Sequence, residues 1–239
     1  MLCYTNFTMG YNISTMYIWR YFNGECECPM CKIKQIVERD LADQYLSEAV
    51  MEDAERAKVN KLGFCGSHYD LLYAGRNKLG LALQMSTRLN RIIELTKAVD
   101  DDKKALKLTK KLKENTENCI ICDKIEFHME RYFKTVPALY HDDAKFREKT
   151  FNEVNGFCYP HFIRLVENSK KAGKYQQQFL EVLIEKERES LVKLKSEIDE
   201  FTLAFDYRNK TLPSKESSVS LKTCRLKIYG DYPLPPERK

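Results

Sequence analysis

Eight residues of this chain carry metal-binding chemistry. Cys28 and Cys31 form a C-x2-C pair, followed after 33 residues by the C-x2-H pair Cys65 and His68. Cys119 and Cys122 repeat the first pair, and Cys158 and His161 follow after 35 residues. Three thiolates and one imidazole are the donors zinc takes in a closed tetrahedral site. Grouped in chain order, Cys28, Cys31, Cys65 and His68 would hold one ion. Cys119, Cys122, Cys158 and His161 would hold another, giving two zinc ions per chain. GFCGSH (63–68) matches GFCYPH (156–161), so the quartets read as two copies of one module. An iron–sulfur cluster is the alternative cofactor for such donors. A dithiol redox pair lacks the βαβ setting it usually occupies.

The elements that position these donors read as helices. Pro29 suits the first turn after Cys28, and Ile33, Ile36, Val37, Leu41, Tyr45 and Leu46 recur at helical spacing. A second helix is expected from about Ser67, with Leu71, Leu72, Leu79, Leu83, Leu89, Ile92 and Ile93 on one broad face. Gly75 and Gly80 interrupt it. In the second copy, Ile125, Met129, Tyr132, Phe133, Val136 and Leu139 form the helix after Cys122, with Pro137 as a candidate stop. A helix of about 15 residues travels roughly 22 Å. The residues that follow can cover the same distance back if extended, which would close each module on its own pair.

The fold class expected is therefore all-α, with two duplicated modules each clipped by a site of three cysteines and one histidine. An irregular segment is expected at 1–20, module one at 21–99, a charged connector at 100–118 and module two at 119–173. A long helix over 174–208 and an irregular tail over 209–239 complete the chain, with a short docked element expected near Leu226–Tyr229. Leu180, Ile184, Leu191, Leu194, Ile198, Phe201 and Phe205 lie on a heptad seam broken at Glu187. Such a seam offers a homodimer interface in the 180–205 region. Packing over the modules of the same chain is the commoner use.

Composition narrows the function classes. The chain has 239 residues with only 9 glycines and 7 prolines, which fits long helices better than a turn-rich β fold. A formal charge of +5 is weak for a dedicated nucleic-acid binder. Lys103, Lys104, Lys107, Lys110, Lys111 and Lys113 read first as a solvated helix face and second as a phosphate patch. No apolar run approaches the roughly 18–20 residues of a membrane span. The nine cysteines are odd in number, pair with histidines and follow no signal-peptide pattern, so a reducing cytoplasm is expected. No Walker, G-x-G-x-x-G, H-E-x-x-H or nucleophile-elbow motif is present, and no catalytic residues are assigned.

ECECPMC (25–31), VMEDAERAKVNKLGFCGSH (50–68), CIICDKIE (119–126), NGFCYPH (155–161) and FDYRNK (205–210) together resemble a bacterial family. That family is catalogued as a domain of unknown function and is common among anaerobic Gram-positive bacteria. The motifs cover about residues 20–210. The resemblance implies a cytoplasmic, zinc-binding helical protein and no established activity. The sequence thus points to a structural or interaction protein with an unidentified protein partner. A thiol-based redox or metal sensor is the alternative, with Cys26 as a nearby resolving thiol. Weak nucleic-acid binding comes third.

Overall fold

The computed structural model describes residues 13–97, 99–206 and 212–230. Among them every regular element is helical. In chain order these are α1 (Ile13–Tyr21), α2 (Pro29–Leu46), α3 (Glu48–Met51), α4 (Asp53–Leu62), α5 (Gly66–Ala74) and α6 (Lys78–Lys97). Then come α7 (Asp102–Glu117), α8 (Ile120–Asp142), α9 (Ala144–Glu148), α10 (Tyr159–Glu167), α11 (Gln176–Leu203) and α12 (Lys215–Tyr229). Two 3-10 turns, Thr150–Glu153 and Ser169–Tyr175, connect α9 to α10 and α10 to α11. The all-α expectation holds. No helix is long and apolar enough to cross a membrane among the described residues.

The chain divides into two compact units that differ from the expected linear modules. One combines Met1–Ile33 with Glu130–Lys239, and the other is Lys34–Met129. The dividing points fall inside α2 and α8, so each expected module contributes residues to both units.

The first unit is built around aromatic rings. Phe151 stands at the centre, 5.2 Å from the Phe179 ring, 5.3 Å from Tyr140 and 6.0 Å from Phe146. Phe22 and Phe157 close on it at 6.3 and 6.2 Å. All of these residues are fully or almost fully buried. Phe22 follows α1, whose Ile18 is also buried, so part of the expected irregular start is a helix anchored in the core. Residues 1–12 lie outside the described residues. The expected irregular tail is corrected in the same way. Its residues 215–229 form α12, capped by the Ser214 side chain, which accepts the Ser217 N–H.

The seam of α11 is used within its own unit. Its buried positions are Phe179, Leu183, Glu187 and Leu194, facing α12 and the 3-10 turn before α11. Compared with the expected stripe, the buried line begins one residue earlier and includes Glu187. Tyr207 and Arg208 of the FDYR motif lie outside the described residues.

The second unit is mostly aliphatic. Ile36, Val37, Leu41, Leu46, Val50, Val59, Leu72, Ile120, Ile121 and Ile125 form its core, with Tyr45 buried among them. The single long helix expected after Ser67 is two helices, broken at Gly75 and ending in α6. Of its expected apolar face only Leu72 is buried, while Leu79, Leu83, Leu89 and Ile93 are exposed. The lysines of α7 from Lys103 to Lys113 are solvated, as the first reading of that run expected. Pro137 does not end α8, which continues to Asp142.

Candidate metal centres

All four donor pairs occupy the same local position, the N-terminal turn of a helix. The first cysteine of each pair is the capping residue. Its carbonyl accepts the N–H four residues on, from Lys32 to Cys28, Tyr69 to Cys65, Asp123 to Cys119 and Phe162 to Cys158. The second donor, three residues later, lies in the first turn and shares the face of the first. Backbone N–H groups and the positive end of the helix dipole favour thiolate there.

Two glycines, one in each G-F-C segment, set up the cysteine that follows. Gly63 has φ +72° and Gly156 has φ +136°, backbone that only glycine adopts without strain. Gly63 ends α4, and its carbonyl accepts the N–H of Ile120 at 3.0 Å. That bond ties the segment before Cys65 to the one after Cys119.

The eight expected donors come together in two clusters, but the pairs are exchanged. The first cluster is Cys28, Cys31, Cys158 and His161, and the second is Cys65, His68, Cys119 and Cys122. Each set of donor atoms lies within 4.8 Å of one another. Each joins a C-x2-C pair from one copy to the C-x2-H pair of the other, and each lies within one unit. The chain-order grouping is therefore corrected.

The reason lies in the return path. α2 has 18 residues and spans about 27 Å at 1.5 Å per residue. The residues expected to run back extended are instead coiled in α3 and α4. The ten residues of α4 advance only about 15 Å, less than half of what they would span extended. In the second copy α8 has 23 residues and spans about 34 Å, and its return is likewise coiled in α9 and Thr150–Glu153.

The spacing fits a tetrahedral ion. Zinc with its usual bond lengths sets sulfurs about 3.7 Å apart and sulfur and nitrogen about 3.5 Å apart. In the first centre Cys158 Sγ is 3.8 Å from Cys28 Sγ and 3.5 Å from Cys31 Sγ. His161 Nδ1 is 3.5, 3.4 and 3.1 Å from the sulfurs of Cys28, Cys31 and Cys158. In the second, His68 Nδ1 is 3.2, 3.3 and 3.3 Å from the sulfurs of Cys65, Cys119 and Cys122. Cys65 Sγ and Cys122 Sγ are 3.9 Å apart.

The surroundings of the two centres differ. Cys28, Cys31, Cys158 and His161 are 3, 4, 1 and 8% exposed. A cleft of about 390 Å³ reaches Cys28 and Cys158 yet leaves both buried. In the second centre His68 and Cys119 are buried, Cys65 is half-buried and Cys122 is exposed. Protonation differs too when protons occupy the donors. Burial pushes the Cys28 thiol well up, and the contact with Cys28 pushes Cys158 up to about 12. In the second centre burial opposes charge at Cys119, but the His68 hydrogen bond and backbone N–H groups bring it down to about 6. Burial likewise disfavours the His68 cation, and Cys119 and Glu38 outweigh it, raising His68 to about 10. The second centre thus already supports one thiolate.

Supporting residues escaped the sequence reading. His68 Nε2 lies 2.9 Å from Glu38 Oε1. With Nδ1 directed at the sulfurs, that contact places the proton on Nε2, as metal-binding histidines commonly require. Beside the first centre, Glu187 Oε2 accepts the N–H of Phe157 at 3.2 Å and the Lys227 ammonium at 2.9 Å. Lys227 also donates to Ser190 Oγ at 2.8 Å. Glu187 and Lys227 are 5% exposed each, a buried pair that fastens α12 to the segment preceding Cys158. The only sequence sign of Glu187 was an acid on an apolar seam. Cys26 and Cys224 are half-buried and belong to neither cluster. His141 contacts Asp142 at 2.6 Å, and His128 lies against the Phe127 ring.

A family model described as a family of unknown function (DUF6062) matches residues 9–235. The chain belongs to DUF6062. The match extends beyond the motif-bearing 20–210 stretch at both ends, and so takes in α1 and α12. No curated protein and no solved structure matches the chain. What this DUF6062 chain can do chemically is therefore argued from its donors. Both clusters could hold a metal ion, and their three sulfurs and one nitrogen suit zinc.

Proposed function

We propose that the protein is a non-enzymatic helical protein holding two zinc ions, which fasten its helix starts and thereby shape a surface for a protein partner. The observation that carries this reading is the exchange of donor pairs. Each cluster joins residues far apart in the chain, 130 positions between Cys31 and His161 and 54 between His68 and Cys122. A metal there links distant segments and adds its binding free energy to folding. Four protein donors per ion leave no position for substrate or water, which favours structure over catalysis. The matching G-F-C-x2-H segments support descent of both halves from one duplicated unit. None of the eight described cysteines is in a disulfide, which fits a reducing compartment such as the cytoplasm. Elemental analysis of the purified protein tests the reading. Two zinc per chain is the expected result, and iron with visible absorbance overturns it.

The exposure of Cys122 supports a second reading for one centre, release of zinc by an oxidant. Cys122 and Cys65 would give two electrons to a peroxide and form a disulfide. The peroxide would be reduced to two hydroxide ions, and zinc would lose two of its four donors. Mild peroxide should then release one zinc per chain, and a thiol reductant should allow it to rebind. Retention of both ions removes this reading and leaves the structural one intact.

A further inference from the structure

Helix α6 has apolar residues on two sides. Its inward side buries Leu81 together with polar and small residues. Gln84 is buried and donates to the carbonyl of Tyr45. Gly80 is buried so closely against the Leu46 carbonyl that a Cβ would collide with it. Arg88 donates to the Val59 carbonyl at 2.9 Å, and Thr87 donates to Asn60 at 3.0 Å. The outward side carries Leu79, Leu83, Leu89 and Ile93, which are 69, 46, 57 and 47% exposed. A stripe of four large apolar side chains on one surface helix marks an interaction site.

The arrangement of the stripe indicates what covers it. It is symmetric about Ser86. Leu79 and Ile93 lie seven residues to either side of Ser86, and Leu83 and Leu89 lie three. A helix with this symmetry matches itself when reversed. Placed antiparallel across a two-fold axis at Ser86, Leu79 comes level with the partner's Ile93 at both ends. Leu83 and Leu89 flank the centre, where Ala82 and Ser86 are small enough for close helix approach. Charge follows the same symmetry. Lys78 comes level with the partner's Glu94, and no two like charges of α6 come level. A parallel copy would instead set Lys78 beside Lys78 and align the helix dipoles unfavourably.

We infer that the protein forms a two-fold symmetric homodimer through the outward face of α6. The interface is isologous, the same patch on both chains, as closed dimers require. The stripe from Leu79 to Ile93 is about 21 Å long, so the contact is at the small end for stable interfaces and the dimer dissociates on dilution. This inference does not rest on the metal reading. It also differs from pairing through α11, whose buried line of Phe179, Leu183, Glu187 and Leu194 packs within its own unit.

Sedimentation equilibrium on the full-length, metal-loaded chain tests it over a wide concentration range. The expected result is a reversible shift from one chain to two. Leu83→Glu together with Leu89→Glu should hold the protein monomeric, with far-ultraviolet dichroism and metal content unchanged. Each exchange should weaken dimerisation about tenfold or more. Orientation is tested by complementation. Leu79→Lys and Ile93→Glu should each weaken the dimer alone, and a mixture of the two variants should associate, because residue 79 of one chain meets residue 93 of the other. A protein monomeric at every concentration, or a dimer that survives Leu83→Glu with Leu89→Glu, overturns the proposal. A dimer whose two variants fail to complement overturns the antiparallel arrangement.

Discussion

The two centres have identical donors in unlike surroundings. Cys28, Cys31, Cys158 and His161 are all buried, and a buried carboxylate–ammonium pair braces the Cys158 segment. Around Cys65, His68, Cys119 and Cys122 one sulfur faces solvent, and the bracing carboxylate, Glu38, is itself 37% exposed. Donor identity sets which ion fits, whereas the surroundings set how readily that ion leaves. An ion held at the first centre would be shielded from solvent, and one held at the second would be open to it.

The largest test of this contrast removes one donor from each. Zinc at a structural site contributes on the order of 10 kcal/mol. That is comparable to the whole stability of a typical protein, about 5–15 kcal/mol. Cys158→Ser should therefore abolish cooperative melting of the first unit. Cys122→Ser should keep a cooperative melt and lower its midpoint by only a few degrees, because water can replace a sulfur already at the surface. A chelator titration followed by metal release should give two phases, the faster one accelerated further in Cys122→Ser. Equal sensitivity at both positions would erase the contrast.

A somewhat smaller effect is expected at Glu187. Glu187→Ala leaves the Lys227 ammonium buried without a counter-charge, a change that costs about 3–5 kcal/mol. Replacing both residues, Glu187→Leu with Lys227→Met, should recover most of that loss in chemical denaturation. Failure to recover would mean the pair does more for the first centre than neutralise charge.

At the second centre, Glu38→Ala should weaken metal binding about 10- to 100-fold by freeing the His68 ring, with the first ion unaffected. Competition with a chromophoric chelator measures both ions in one experiment. The smallest effect concerns Glu130, which contacts Arg164 at 2.6 Å and Lys134 at 2.9 Å, bracing the helix that carries His161. The two cations hold its carboxyl below the usual range. A depressed folded value contributes stability above the unfolded carboxyl pKa and loses it as pH falls through the folded one. Glu130→Gln should thus melt slightly earlier than the parent at neutral pH, by less than about 1 kcal/mol for so exposed a pair. The difference should vanish in acid, and a difference that grows in acid would contradict the assignment.

Some elements were legible in the sequence because their cues are local. C-x2-C and C-x2-H place two donors on one helical turn whatever surrounds them, and Gly63 and Gly156 announce the turns before them. α2, α8 and α11 were visible from their apolar spacing. α12 was not, because the residues it buries are Ser217, Ser220 and Lys227. The Lys227 ammonium is buried against Glu187 and Ser190, about 40 residues earlier in the chain. α6 misled in the opposite sense, since its apolar face resembles a core face and is exposed. Periodicity reports that a helix has two unlike faces. It does not report which face meets the protein.

By itself the sequence determined the helical class, the eight donors and their grouping into four local pairs. Neighbouring residues on one turn meet regardless of the rest of the fold. Only the tertiary structure decided which pair meets which, because that depends on how far each helix travels before the chain turns. The return segments coil instead of extending, and each C-x2-C pair meets the C-x2-H pair from the other half of the sequence as candidate donors for one ion. The exposure of one centre and the burial of the other follow from that same folding, although the donors of both are alike.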